Sequence, residues 1–527
     1  MRVGVYIRQL VSLGGGNRHA LAVAAHLSRE HEVDVLTHTP LGASRIGTHL
    51  NLDLARARLR FLPAQPAAAL APITAEYDFF VNALHNMYIP CQARRGALLV
   101  FFPAQSRLGW TGQMRRQVAL GLNRLLRVEL GSHGVYEEEF HQGRRVRLLE
   151  NQAELHLAGG LAPVPVTFHL LHPGPEDRQV ELWLDGAKVR ALRLAPGDES
   201  PQRLTLPPGP SHRLGIRTAG ETPAWVPIPE TMPEGLGHLR LLDFQVDHPR
   251  TRLYRFLFER AFPNWRDRLL HVPPDGFLAQ VDTYDIIWGN SQFTQRWIQA
   301  YWGRSSQVLY PLVEVEAFRP LEKRRQILSV GRFFRAAHNK KHLLMVQAFK
   351  DLVDRGLTGW SLHLAGGVVD DPIHQTYLRS VQEAATGYPI HIHANAPFET
   401  LRRLYGESAI YWHAAGYGED ESRAPIKMEH FGVTTVEAMA AGCAPVVIRK
   451  GGQPEIIQHG VDGFLWDEVA ELKAYTLRLV EDEALRRQLS RAAQASSQRF
   501  DRHHFGVQID SSLSADLFRS RGHVNKP

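Results

Sequence analysis

Cysteine is nearly absent: Cys91 and Cys443 are the only two in 527 residues. That excludes a disulfide-built domain and leads us to expect reduced thiols in a cytosolic compartment. No apolar run approaches the ~20 residues that cross a bilayer, so we expect a chain that is soluble or bound at a membrane surface. The first residues lack the basic, apolar and small-residue succession of a secretory leader, and none is expected. Internal repeats and low-complexity tracts are missing as well. So are the aromatic-plus-basic motifs of RNA and DNA modules, and nucleic acid is not expected as a partner. Acidic residues are missing from one stretch: seven arginines lie between Arg94 and Arg127 with no Asp or Glu. The formal net charge is +7, which suits a membrane or an anionic substrate. The arginine-rich composition of a high-GC genome accounts for it equally well.

What is present gives room for about three domains. Hydrophobic content of 44% and charged content of 22% are ordinary for a globular chain. Arg2–Ile7 reads as a strand, Gly14-Gly15-Gly16 as a loop, and the residues from Leu21 as a helix, with a second strand at Val33–Leu36. This β-loop-α-β order predicts a parallel sheet. Further strands are expected at Leu59–Leu62, Phe79–Val81 and Ala97–Phe102. From about Leu148 to Asp247 helical periodicity gives way to short alternating runs such as Val180–Leu184 and Leu239–Val246. Pro- and Gly-rich turns separate these runs, predicting a self-contained β-sandwich inserted into the first domain. A strand at Tyr284–Gly289, a helix at Gln292–Tyr301 and a strand at Val308–Pro311 resume that domain. A second Rossmann-like half starts at Gln326–Val330. The expected division is 1–147 and 248–321 for the first lobe, 148–247 for the β-rich insertion, 322–500 for the second lobe, and 501–527 for a crossover helix and tail.

Met114, Val118, Leu122 and Leu125 fall on one helical stripe, with arginines off it. Such a helix either lies in a membrane interface or packs on its own sheet; we expect the latter. His391-x-His393 has no further ligand at metal spacing, so a strand pair is expected there.

Glu429-His-Phe-Gly-Val-Thr-Thr-Val-Glu437 places two carboxylates eight residues apart across a turn. A small-residue helix ending at Gly442, an apolar strand at Ala444–Ile448 and Gly451-Gly452 follow. A turn into a helix N-terminus aims unpaired N–H groups and a positive dipole end at an anion. The stretch Glu429–Trp466 resembles the donor-binding core of retaining glycosyltransferases of family 4, with its Glu-x7-Glu signature. The resemblance covers both Rossmann-like halves and leaves out the β-rich segment.

The resemblance implies a GT-B fold: α/β, two Rossmann-like lobes, here with the β-sandwich-like insertion in the first. It implies transfer of a hexosyl unit from a nucleotide diphosphate sugar to a glycan or lipid-linked acceptor, in cell-surface polysaccharide synthesis, with no metal and no other cofactor. Arg332 and Lys340 correspond to the pair that clamps the donor diphosphate; an aromatic insert before Lys340 leaves Lys341 as the alternative. Glu437 corresponds to the carboxylate on the ribose hydroxyls and Glu429 to the one facing the sugar. Gly432, Val433, Thr434 and Thr435 would meet the diphosphate, and Gly15 and Gly16 would approach it from the other lobe. Gly366 is a phosphate cradle or a plain turn. His85 corresponds to a histidine touching donor or acceptor, while the next strand ends Phe102-Pro103 without the family's second histidine. The family often works at the inner membrane face, so peripheral contact through the Arg94–Arg127 segment stays open. Rival readings are a carbohydrate-binding or assembly protein, a sugar-nucleotide epimerase, and a phosphorylase, for which no pyridoxal lysine is evident.

Overall fold

The computed structural model describes residues 1–10, 14–40, 52–84, 87–105, 110–141, 143–219, 225–227, 238–261, 273, 276–335, 339–368 and 372–517. They form two compact units, Met1–Leu99 with Pro103–Ile287, and Trp288–Pro527 with Val100–Phe102.

The first unit opens with β1 (Arg2–Ile7), α1 (Gly15–Leu27), β2 (Glu32–Thr37), β3 (Ala57–Phe61), β4 (Phe79–Leu84) and β5 (Arg95–Val100). The strands lie in the order β3-β2-β1-β4-β5, and β1 pairs in parallel with β2 and β4. Val3, Val5, Val35, Val81 and Leu99 are fully buried, as strands covered on both faces require. The order reverses between β1 and β4, the place where such sheets open a crevice at their carboxyl ends. Gly14 is the N-cap of α1, so Gly15 and Gly16 make its first turn rather than a loop before it.

After α2 (Trp110–Leu126) come β6 (Glu129–Val135), β7 (Glu139–His141), β8 (Arg144–Ala158), β9 (Val164–Leu171), β10 (Arg178–Leu184), β11 (Ala187–Leu194), β12 (Glu199–Leu206), β13 (Ser211–Thr218), β14 (Trp225–Pro227) and β15 (Leu239–Val246). The long β8 organises them. β6 pairs along one edge, from Leu149 to Leu157. β15 and β13 must then share the other edge, at Val146–Leu149 and Gln152–Ala158 respectively. Two groups, β15-β9-β12 and β13-β10-β11, therefore diverge from that edge. They close on one core of Leu155, Val166, Phe168, Leu182 and Leu214.

Two expectations need correction. The β-rich segment begins at Glu129 rather than Leu148, because β6 has two glycines and little alternation and is held as a strand by its long partner. Nor is the segment self-contained. β14 pairs antiparallel with β3, Val226 opposite Leu59, and so returns a strand to the first sheet. A third correction concerns α2. Met114, Val118 and Leu125 are exposed, and the helix buries Arg116, Ala119 and Leu126. Nη2 of the buried Arg116 donates to the Pro273 carbonyl at 2.7 Å. Next come α3 (Pro249–Arg255), a π turn at Phe256–Ala261 and β16 (Ile286–Gly289), which lies beside β5.

In the second unit, Ser291 Oγ accepts from the Thr294 amide at 3.0 Å and starts α4 (Gln292–Trp302). β17 (Gln307–Val308) pairs with the end of β16. The sheet proper contains β18 (Arg324–Val330), β19 (Ser361–Gly366), β20 (Ile390–Ala394), β21 (Ser408–His413), β22 (Ala444–Ile448) and β23 (Phe464–Trp466). Its order is β20-β19-β18-β21-β22-β23, all neighbours parallel. The helices that matter for the site are α5 (His342–Asp354), α6 (Phe398–Glu407) and α7 (Val433–Ala440); α8 (Arg502–Leu517) ends the described chain. One core holds Ile327, Phe349, Trp412 and Val446. A second holds Leu328, Tyr405, Tyr411 and Val447. Alternate residues of β18 and β21 thus enter different cores, as a sheet covered on both faces dictates. The strand order reverses between β18 and β21, which puts this unit's crevice at their carboxyl ends.

Candidate active site

That reversal decides which residues meet. The chain leaving β18 passes through Gly331-Arg332 and returns to Lys340 before α5. β21 ends at His413. The turn before α7 carries Glu429. The Lys340 ammonium bonds the Glu429 carboxylate, and the His413 Nε2 lies 3.0 Å from the same oxygen, Oε2. His413 is 2% exposed, and burial pushes its ring down, with Glu429 opposing that. A neutral ring donates its Nε2–H to the carboxylate. Burial alone would raise the Glu429 carboxyl; the Lys340 ammonium and the His413 hydrogen bond overcome it and hold the group well below its ordinary value. Glu429 therefore stays ionised, with Oε2 engaged by both Lys340 and His413.

The α7 N-terminus adjoins this cluster. Gly432 is its N-cap at φ 128°, where a Cβ would also lie 2.4 Å from Gln453 Nε2, so only glycine fits. Gln453 Oε1 accepts from the buried Thr435 hydroxyl at 3.0 Å. The Tyr411 hydroxyl donates to Thr434 Oγ1 at 2.9 Å. These bonds fix the first turn, whose leading amides have no intrahelical acceptor. One turn further on, Glu437 is only 6% exposed and accepts from the Tyr405 hydroxyl at 2.8 Å. Burial and the adjacent carboxylate push Tyr405 well above its ordinary value, so it remains a donor. The helix closes on Gly442 at φ 72°.

Other expected residues take different places. Lys341 has φ 60°, a left-handed backbone that costs a non-glycine residue roughly 1–2 kcal/mol. Its ammonium pairs with Glu419 at 3.0 Å, which Lys427 also holds. Arg332 is exposed, with its guanidinium 5.7 Å from the Phe334 ring centroid rather than on Glu429. Gly366 ends β19 where a Cβ would lie 2.0 Å from the Gly331 carbonyl oxygen, so close strand packing already requires glycine there. His85 lies outside the described residues, and Gly15 and Gly16 belong to the first unit. Both cysteines are buried and neither is in a disulfide. His391 and His393 lie on β20, and His393 Nε2 is 3.1 Å from His363 Nδ1. Among the described residues no group of three His, Cys, Asp or Glu is placed to hold a metal ion.

Sequence reasoning missed His413, Tyr405, Tyr411 and Gln453. A signal existed for two of them. Ile410-Tyr-Trp412 was legible as a strand next to the motif's own strand, and strand ends beside a switch point face the ligand. His413 occupies that end, and Tyr411 precedes it on the same strand.

Comparison with known proteins supports the same reading of this region. Residues 314–496, just over a third of the chain, match the family model of glycosyl transferases group 1. A human GDP-Man:Man(3)GlcNAc(2)-PP-Dol alpha-1,2-mannosyltransferase is 28% identical over 252 residues, 44% of this chain and 48% of that protein. An N-acetyl-alpha-D-glucosaminyl L-malate synthase of Bacillus anthracis is 37% identical over 70 residues, 13% of this chain and 18% of that protein. The chain thus spans about half the length of the mannosyltransferase relatives it matches. Among solved structures, Anabaena HepE in complex with UDP superposes with TM-score 0.51 at 13% identity, over 98% of this chain and 100% of that one. A glycosyltransferase from Rickettsia africae gives TM-score 0.50 at 12% identity, covering 99% of both. These likenesses establish the fold class: α/β, with the Rossmann-like lobes of GT-B glycosyltransferases.

Proposed function

We propose that this chain is a retaining glycosyltransferase of the family 4 type. It moves a hexosyl unit from a nucleotide diphosphate sugar to a glycan or glycolipid acceptor, without a metal, at the cytoplasmic side of a membrane, in cell-surface polysaccharide synthesis. The observation that carries the reading is the cluster of Lys340, Glu429 and His413 beside the α7 N-terminus, inside the segment that matches group 1 glycosyl transferases. A fixed cation and a helix N-terminus together supply what a departing diphosphate needs, positive potential where negative charge develops. Glu437, one turn along α7, is the acceptor for the ribose hydroxyls. Glu429 Oε1 faces the sugar, and Arg332 swings from Phe334 to complete the clamp. The relatives named for GDP-mannose make a GDP-linked hexose the first donor to test.

The deciding measurement is a thermal-shift panel of GDP-, UDP- and ADP-sugars. A donor binds the folded state and must raise Tm. We expect one nucleotide to do so and its sugar to be slowly hydrolysed, with both effects unchanged by chelator. No shift and no hydrolysis with any donor overturns the enzyme reading. Loss on chelation that added metal restores overturns the metal-free part.

Tyr405→Phe tests the ribose role. It removes the hydroxyl that holds Glu437, a buried hydrogen bond to a charged group worth about 1.5–3 kcal/mol. Part of that cost falls on stability, because Tyr405 is fully buried. We expect nucleotide diphosphate affinity to fall roughly tenfold with little change in turnover at saturating donor. Unchanged affinity in a folded variant refutes the arrangement.

A further inference from the structure

α2 has two apolar sides, and among the described residues only one packs into a core. Ala119 and Leu126 pack with Phe258 of the π turn after α3, joined by Leu122, Tyr254 and Leu257. The other side carries Trp110, Met114, Val118 and Leu125, which are 76%, 52%, 50% and 62% exposed. Their spacing of four, four and seven residues sets them along one line of the helix. The neighbouring α3 and its π turn add Leu253 and Phe256, also exposed. Such a patch on a folded surface marks something that covers it.

The charges identify what does. Arg115, Arg124 and Arg127 are exposed on α2 or just past its end, and Arg250 and Arg255 are exposed on α3. Arg252 is exposed too and pairs with Asp247 at 2.9 Å. From Arg94 to Arg127 the chain has no acidic residue. A second copy of this face would set arginines against arginines with no carboxylate on α2 to pair them. A nucleic acid would leave the apolar line against water. We propose that the α2–α3 face docks on an anionic lipid surface. Trp110, Met114, Val118, Leu125 and Phe256 enter the headgroup boundary, and the arginines meet lipid phosphates at its level. This deepens the reading of a lipid-borne acceptor and rests on it only for the purpose of docking. Among the described residues no helix is long and apolar enough to cross a membrane.

The test is flotation of the full chain with vesicles of phosphatidylcholine alone or containing phosphatidylglycerol, at low and high salt. We expect binding to the anionic vesicles at least ~10-fold above the neutral ones, weakened by salt. The triple variant Met114→Gln, Val118→Gln, Leu125→Gln changes only exposed positions. It should lose most of that binding and keep donor-induced thermal stabilisation and slow donor hydrolysis. Absence of anionic-vesicle binding in a wild-type protein that still binds donor overturns the docking face and leaves the enzyme reading standing. Equal binding by the triple variant overturns it too. So does light scattering that shows a dimer abolished by the triple variant without vesicle binding.

Discussion

Lys340→Ala is expected to lower turnover by a factor of ~100 or more, the usual consequence of losing one preorganised charge at a leaving group. The ammonium acts on Glu429 in two ways. It bonds Glu429, and it is the main charge holding that carboxyl well below its ordinary value. Removing it leaves the opposing influence, burial, in command. The Glu429 carboxyl then rises, and the acid limb of the activity profile moves to higher pH. The sign follows from the depressed folded value: in the wild type the carboxylate contributes stability that is present above its unfolded value, near 4.5, and lost as pH falls further. Lys340→Ala removes that contribution, and with burial in command the group costs stability as pH rises and the carboxyl ionises. Lys340→Arg keeps the charge and should retain more turnover than alanine. Lys341→Ala is the control: its ammonium is held by Glu419, and its loss should cost far less. A Lys340→Ala protein with wild-type turnover rules out the donor-site assignment.

The contrast between the two lysines shows what a sequence can and cannot carry. The Glu-x7-Glu stretch, its turn, helix and strand were legible because each rests on local chemistry: glycine where φ is positive, small residues in a tight helix, an apolar run in a central strand. The parallel strands of both units were legible for the same reason. The choice between Lys340 and Lys341 was not, because it depends on a single φ of 60° that turns Lys341 toward a loop carboxylate seventy-eight residues away. His413 was hidden differently. Nothing near it in sequence points to Glu429; the meeting is produced by strand order. β6 escaped because a fifteen-residue partner, not its own pattern, makes it a strand. α2 misled because a helix with two apolar sides offers no way to tell, from periodicity alone, which side the fold uses.

Glu429→Gln and Glu437→Gln are expected to fail in opposite ways. Both are conservative in shape, and both carboxylates sit beside the α7 N-terminus, so simple proximity predicts the same damage from either. Their partners predict otherwise. Glu437 is buried and held by a tyrosine hydroxyl, an arrangement suited to accepting hydrogen bonds from a neutral diol. Its replacement swaps a charged acceptor for a neutral one at a cost of roughly 1.5–3 kcal/mol. That is a ten- to hundredfold loss in nucleotide diphosphate affinity on the order of the tenfold per 1.4 kcal/mol scale, with turnover at saturation largely kept. Glu429 instead neutralises Lys340. Its replacement frees that ammonium, so bare nucleotide diphosphate should bind at least as tightly as to the wild type. Turnover should nevertheless drop by ~100-fold, since in the proposed function this carboxylate is the one that faces the sugar. Titration calorimetry with nucleotide diphosphate, set beside single-turnover transfer rates, reads both quantities on the same samples. If Glu429→Gln weakens nucleotide binding as much as Glu437→Gln does, the two carboxylates share one role and the division drawn between sugar and ribose is wrong.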